Sequence, residues 1–555
     1  LGIALRGLNP GRTNELNTRQ NGYDISADAL GYPENYYVPT AQALEKIEIV
    51  RGAASLQYGT QFGGLLNFVM RKPPKNKLIE IQSQQTAGSF GLWNSFNSIG
   101  GTKGKFSYYS FFHHKQGDGW RQNNGFQVNT GYMYLAYSFS ERFKINLEYT
   151  KMNYNLQQPG GLTDSQFAQN ARQSSRSRNW FTADWNILAL MADYSISEKT
   201  KFNNRIFAFV GSRGSIGNLD PINRSDFGGE RNLLYDNYLN FGLEIRLLHH
   251  YTIGKFKNSV LVGFRAYKGN THRRQGNGTN GSDAYYHFLN PGRLENSDFM
   301  FPNYNAALFA ENIFRISSKL SIVPGARLEY INTQSIGYYR SDGLFIQDNK
   351  QNTRSFPLFG IGASYYATNH TEVYANISHA YRAINFNDLK VVNPNQLVNQ
   401  NLRDATGYNI DLGYRGNYNS FINFDVSLYF MAYNNRIGNI NFRTIDTLTF
   451  QIKDYQYRTN VADSRSYGFE SFAELDIWKA IKPSTTNSLS VYCSMAYINA
   501  YYTNTNDPFI KDKKVELAPN WIARFGLNFK YKCFSSSMRY AVSYTHLTLP
   551  TNREV

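Results

Sequence analysis

Arginine is the residue type through which this chain could do chemistry. Its guanidinium stays charged at any physiological pH and offers N–H groups in a planar fork that meets a carboxylate in two parallel bonds. Arg12 and Arg19 fall in a loop-rich N-terminal stretch, Arg213, Arg224 and Arg231 share one long connection, His272, Arg273 and Arg274 sit on another, and Arg382 follows a strand end. Convergence of these side chains with neutral hydrogen-bond donors would select an anion that carries carboxylates. The rest of the reactive inventory is thin. The adjacent pairs His113-His114 and His249-His250 would point to opposite faces of a strand, so neither can chelate one metal ion. Cys493 and Cys533 lie some forty positions apart, with no Cys-x-x-Cys spacing. There is no phosphate-cradling loop, Cys/His cluster or serine elbow, and Gly360-Ile361-Gly362 lies in a strand pattern without a following helix. These features argue against an enzyme and imply no cofactor.

The frame that must hold the arginines is β. Tyr (42) and Phe (39) dominate the 41% hydrophobic fraction of the 555 residues, and few segments place apolar residues at helical spacing. No apolar run reaches the roughly 20 residues of a membrane helix. Mean hydropathy is −0.50, which a membrane β-barrel also allows, because only alternate residues of its strands of about 10 face lipid. From Leu78 onward that alternation repeats. Phe143, Ile145, Leu147 and Tyr149 share one face of a strand, and Lys144, Asn146, Glu148 and Thr150 the other. Tyr408, Ile410, Leu412 and Tyr414 lie opposite Asn409, Asp411 and Arg415, and Phe525, Leu527 and Phe529 opposite Arg524, Asn528 and Lys530. A soluble sandwich shows the same period. Loop asymmetry separates the two: the turns at 140–142, 197–199, 317–319, 367–369 and 417–419 are short, whereas the connections near 155–184, 212–233, 271–304 and 380–404 are long. Roughly 18 strands between Leu78 and Tyr540 make a barrel too wide for side chains to fill, so something else must fill it.

The formal net charge of +17 is scattered, with no dense basic block, which does not point to nucleic acid.

Residues 1–72 have a different texture and carry the sharpest motif. It runs Ala43-Leu44-Glu45-Lys46-Ile47-Glu48-Ile49-Val50-Arg51-Gly52, then Tyr58-Gly59, then Gly63-Gly64-Leu65-Leu66-Asn67-Phe68-Val69. Leu44, Ile47 and Ile49 are expected to pack a small core, with Gly52 and Gly59 at turns. This order resembles the end of the plug domain of TonB-dependent outer-membrane receptors. Phe309-Ala310-Glu311-Asn312, Val323-Pro324-Gly325-Ala326-Arg327-Leu328-Glu329-Tyr330, Tyr381-Arg382-Ala383-Ile384-Asn385-Phe386, Arg458-Thr459-Asn460-Val461 and Gly468-Phe469-Glu470 extend the resemblance down the chain. Arg6-Gly7-Leu8-Asn9-Pro10 and Tyr58 to Val69 look most like the iron(III) dicitrate receptor branch.

The resemblance implies an all-β fold, a large antiparallel transmembrane barrel with a partial α+β plug in its lumen. Residues 1–72 would be the C-terminal part of the plug and 73–541 the barrel. It also implies a non-enzymatic importer in the bacterial outer membrane that takes up a ferric chelate, ferric citrate or a similar anionic complex. A neutral siderophore, haem, a glycan, or a passive porin or adhesin barrel are the alternatives. The arginines above are then candidate ligands for the chelate. Partners would be the TonB–ExbB–ExbD complex, acting through a segment absent before Leu1, together with outer-membrane lipid and lipopolysaccharide. Arg327, Glu329, Glu372, Glu470 and Glu474 fall on polar strand faces, and Arg51, Arg71 and Glu470 are the candidate plug–barrel lock. The family barrel has 22 strands, so about three or four are expected to be missing, with a gap or strained closure between the strands near Leu78 and Tyr540. Val542–Val555 reads as a non-native tail.

Overall fold

The computed structural model describes residues 6–8, 15–30, 36–50, 56–59, 61–220, 222–341, 343–389, 396–399, 401–419, 421–445, 452–483, 486–505 and 509–544. Arg12, Arg51 and Gly52, together with 545–555 of the tail, lie outside them.

A small sheet comes first, built from β1 (Asn17–Gln20), β2 (Tyr23–Asp24), β3 (Leu44–Val50) and β4 (Leu65–Met70), in the order β2-β1-β4-β3. Strands β1 and β4 are parallel, the other pairs antiparallel. Gly64 opens β4 with φ +77°, in the left-handed region that glycine enters freely. Leu65, Leu66, Phe68 and Met70 of β4 are buried. Ile47 and Ile49 are not: each is 53% exposed, against the small core expected of them. They lie on β3, the sheet's edge strand, where only one neighbour covers them.

The wall of the molecule is one antiparallel succession from Glu80–Gly88 to Phe534–Tyr544, with nineteen strands of nine or more residues among the described residues. Its burial is inverted relative to a soluble protein. Leu308, Leu328, Leu412 and Leu428 are half exposed, while Glu148, Glu244, Arg273 and Asp411 are buried. Apolar side chains point outward and charged ones into the lumen, as a barrel in lipid requires. The strand Phe143–Gln157 follows the alternation read from its sequence, with Asn146, Glu148 and Thr150 buried and Tyr149 exposed.

Strands reach further toward the long loops than sequence indicates. Arg231–Ile253 and Phe256–Gly278 have 23 residues each and Ile452–Asp476 has 25. The connection expected over 271–304 therefore shrinks to 279–296. A ladder of 23 residues at about 3.4 Å each far exceeds the roughly 25 Å apolar band of such a barrel, so the ladders continue beyond the lipid. There the outward face needs no apolar residues, and the alternating signal fades.

The strand order sets Phe534–Tyr544 beside Glu80–Gly88. The two are hydrogen-bonded neighbours that close the barrel, against the gap expected between them, and each is in register with its other neighbour. Both are exposed along most of their length. With nineteen strands alternating in direction, these two point the same way.

Candidate functional site

The small sheet sits inside the barrel, and the contact is built from charges. Arg19 leaves β1 fully buried, and its Nη1 donates to Glu244 Oε1 and Oε2 on the wall at 2.7 and 2.9 Å. Glu244 also accepts from Arg246 at 2.8 Å and Arg265 at 2.5 Å, and Arg265 reaches back to Asp24 on β2 at 2.6 Å. Arg19 and Arg246 flank the Tyr58 ring, 5.0 and 4.8 Å from its centroid. Around this knot, Glu148 accepts from Asn21 and the Tyr23 hydroxyl at 2.8 Å each, and Asp28 accepts from Tyr267 at 3.0 Å and Asn303 at 2.6 Å. Arg6 makes a separate anchor: 2.6 Å from Asp411, 3.0 Å from Glu470, and 4.3 Å above the Tyr429 ring. Burial alone would lower the Arg6 guanidinium, but Glu470 and Asp411 outweigh it and raise its pKa. Phe62 stacks on Tyr433 at 4.0 Å and its carbonyl accepts from Asn409.

Between sheet and wall lies a cavity lined by Tyr58, Gly59 and Gln61 on one side and Arg265, Asn305, Arg327, Glu329, Tyr381, Arg382 and Asn385 on the other. Arg327 is fixed by Glu329 at 2.5 Å and by the Leu56 carbonyl at 3.1 Å. Arg382 is 94% buried, and its Nη2 donates to both oxygens of Asp388 at 3.1 and 3.0 Å. Asp388 lies on a one-turn helix, Phe386–Leu389, in a long loop, and also accepts from Arg458 at 2.5 Å. Burial would raise this carboxyl, yet the two arginines hold it below its ordinary value. Among the described residues, two buried polar atoms of the lining residues have no hydrogen-bond partner: Arg382 Nη1 and Gln61 Oε1. A buried donor and a buried acceptor left unmet are costly.

The other candidates are distributed by strand parity. Arg213 and Arg273 face the lumen and converge on Asp236, with Arg213 Nε at 3.0 Å and Arg273 Nη2 at 2.5 Å. Arg273 also lies over the Phe386 ring at 5.0 Å. His272 and Arg274 take the alternate positions and face outward, where His272 meets Asp298 at 2.7 Å and Arg274 meets Asn237 at 3.0 Å. Arg231 is buried and ties loops together through the carbonyls of Thr279 and Asp283, and Arg224 is exposed. Arg71 donates to Gln82 at 2.7 Å. Glu470 meets Arg6, and Glu372 meets Arg415 at 2.9 Å near a short turn. Glu474 lies on the strand Ile452–Asp476.

Arg6, Asp24, Glu244, Arg265 and Gln61 escaped sequence reasoning. For the wall residues a signal existed: Glu244 and Arg246 alternate with Leu243, Ile245 and Leu247, which puts both charges on the lumen face. Among the described residues no cluster of metal-ligating side chains occurs.

Residues 116–552 match the family described as TonB dependent receptor-like, beta-barrel. The ferric citrate transporter FecA in its unliganded form superposes with a TM-score of 0.80 at 20% identity, over 98% of this chain and 78% of that one. The copper transporter OprC gives 0.76 at 16% identity, covering 97% and 78%. The ferric yersiniabactin uptake receptor FyuA from Yersinia pestis gives 0.75 at 13%, covering 98% and 79%. Identities this low establish the shared fold.

Proposed function

This chain belongs to the TonB-dependent receptors of the bacterial outer membrane, and we propose that it imports an anionic ferric chelate of the citrate type. The chelate binds between the inner sheet and the loop end of the wall. TonB–ExbB–ExbD releases it by pulling on the inner sheet, and the outer face rests in outer-membrane lipid and lipopolysaccharide. The observation that carries this reading is Arg382, which lines a cavity together with Arg265 and Arg327 and whose buried Nη1 has no hydrogen-bond partner among the described residues. A neutral siderophore or a glycan gives such a donor no charge to meet, and a buried hydrogen bond to a charged group is worth more than one between neutral groups. A passive barrel would have no use for an inner sheet tied by Arg6, Arg19 and Asp28 to the wall. Fold likeness alone does not choose the cargo, since neighbours of comparable similarity carry copper and ferric yersiniabactin by their names.

Equilibrium binding of ferric dicitrate and of a neutral ferric hydroxamate to the intact receptor and to Arg382→Gln tests this. The expected result is a preference for the anionic chelate, weakened in the variant by about tenfold or more. Equal affinities in the intact receptor overturn the charge argument.

A further inference from the structure

The two ends of the wall treat their charges differently. At the long-loop end the arginines find carboxylates: Arg178 pairs with Asp226, Arg354 with Asp404 and Arg458 with Asp388. At the other end the short turns, which in such a barrel face the periplasm, carry Lys105, Arg142, Lys199, Lys255, Lys319 and Lys532. None of the salt bridges among the described residues involves any of these six. Glu141 and Glu198 share two of the turns, yet neither lies within ion-pair distance of the cation beside it.

Apolar side chains lie bare beside these cations. Phe106, Phe139, Ile196, Ile253, Ile316 and Phe534 are between 41% and 60% exposed, and each is within three residues of one of the six. An exposed apolar ring with cations just beyond it suits a lipid interface, with acyl chains against the ring and headgroups against the charges. The arrangement is densest at a short helix, Ile477–Ile481, on one of these turns. Its Trp478 packs on Phe529 and Tyr531, at 5.4 and 6.0 Å between ring centroids. Both partners share the outward parity of Phe525 and Leu527 on Trp521–Tyr531, so Trp478 lies on the lipid side of the wall. The Lys532 backbone N–H donates to Asn487 Oδ1 at 3.0 Å, which joins the two turns. Lys532 Nζ sits 5.5 Å from the Tyr531 centroid, and Lys482 is exposed just after the helix. Lys479 is already held by Asp476 at 3.4 Å, which leaves Lys482 and Lys532 as the free ammonium groups beside the aromatic patch.

We infer that the short-turn rim is a collar that binds anionic phospholipid of the periplasmic leaflet, with its principal seat at Trp478, Lys482 and Lys532. A zwitterionic headgroup brings its own ammonium and leaves the lysines without net counter-charge. An anionic headgroup supplies that charge, and each basic residue at a membrane surface strengthens binding to anionic lipid several-fold. An acidic protein is the wrong occupant, because it would have to displace acyl chains from Phe529, Tyr531 and Phe534 on the lipid side. The collar fixes the short-turn end of the barrel at the headgroup plane.

The test uses the intact receptor in vesicles of phosphatidylcholine and phosphatidylglycerol in varied ratio, with bromine on the acyl chains of one lipid or the other. Bromine quenches a tryptophan only at contact, and subtraction of the Trp478→Phe signal isolates Trp478 among the 6 tryptophans of the chain. Phosphatidylglycerol should outcompete phosphatidylcholine beside Trp478 by about tenfold at low salt. Lys482→Gln combined with Lys532→Gln should bring the two lipids to equal occupancy while the barrel keeps its heat-modifiable migration. Quenching needs an acyl chain, so free phosphate cannot mimic it. Equal quenching by both lipids in the wild type, or a preference that survives the double substitution in the folded barrel, overturns the collar. Quenching by neither lipid overturns it too, and assigns the patch to a protein partner.

Discussion

Arg19 and Glu244 are 225 residues apart in sequence, and both are buried where Arg19 Nη1 reaches the two oxygens of Glu244 at 2.7 and 2.9 Å. Glu244 is the hub, because Arg246 and Arg265 depend on the same carboxylate. Glu244→Ala leaves three guanidiniums facing one another beside Asp24. Breaking a buried pair from one side costs about 3–5 kcal/mol, so the inner sheet should loosen while the wall persists. Amide exchange over 15–30 and 65–70 should rise by two orders of magnitude or more, which at about 1.4 kcal/mol per tenfold is the low end of that cost. Unchanged exchange there would show that the network does not hold the sheet.

The loop ion pair between Arg178 and Asp226 supplies a pH test outside the membrane. Both guanidinium arms donate to Asp226, Nε at 2.9 Å, and these bonds, opposed in part by burial, bring its carboxyl down to about 2 from an ordinary 3.8. A depressed carboxyl stabilises the folded loop above its unfolded pKa and loses that contribution as pH falls toward 2. Amide protection in 222–230 should therefore keep this group's full contribution, unchanged, between pH 7 and 5 and lose it progressively below about 4. In Asp226→Asn the acid-dependent step should be absent, and persistence of the same step in that variant would assign it to another group.

Outward apolar positions should respond to charge by depth. Leu412 is 50% exposed, faces outward, and sits six residues from the end of its strand at Tyr418. Leu412→Arg should cost about 2–4 kcal/mol in lipid, and Gln351→Arg, beyond the apolar band, about 0–1. Equilibrium unfolding from vesicles measures both, and equal costs would contradict the assigned lipid boundary.

The wall was legible in sequence wherever one strand face touches lipid, because period-two alternation of Tyr408, Ile410, Leu412 and Tyr414 against Asn409 and Asp411 is a local signal. Outside the apolar band it was not: residues 271–278 are strand, yet their outward side chains His272 and Arg274 read as a basic loop. That misreading also grouped His272, Arg273 and Arg274 as one cluster, when strand parity sends only Arg273 inward. Partnerships such as Arg6 with Asp411 and Glu470 carry no sequence mark, since each is fixed by where the inner sheet seats in the lumen. Arg382 was found because it ends a strand at a long loop, but its orphaned Nη1 depends on Asp388 occupying the other nitrogen.

Growth on a single iron source by cells whose only outer-membrane iron receptor is the intact form of this protein reads the proposed import directly. Ferric citrate should sustain growth in a TonB-dependent manner, a neutral ferric hydroxamate should not, and Arg382→Gln should depress growth on ferric citrate without altering receptor abundance. Equal growth on both iron sources, or growth on ferric citrate that persists without TonB, would contradict the account.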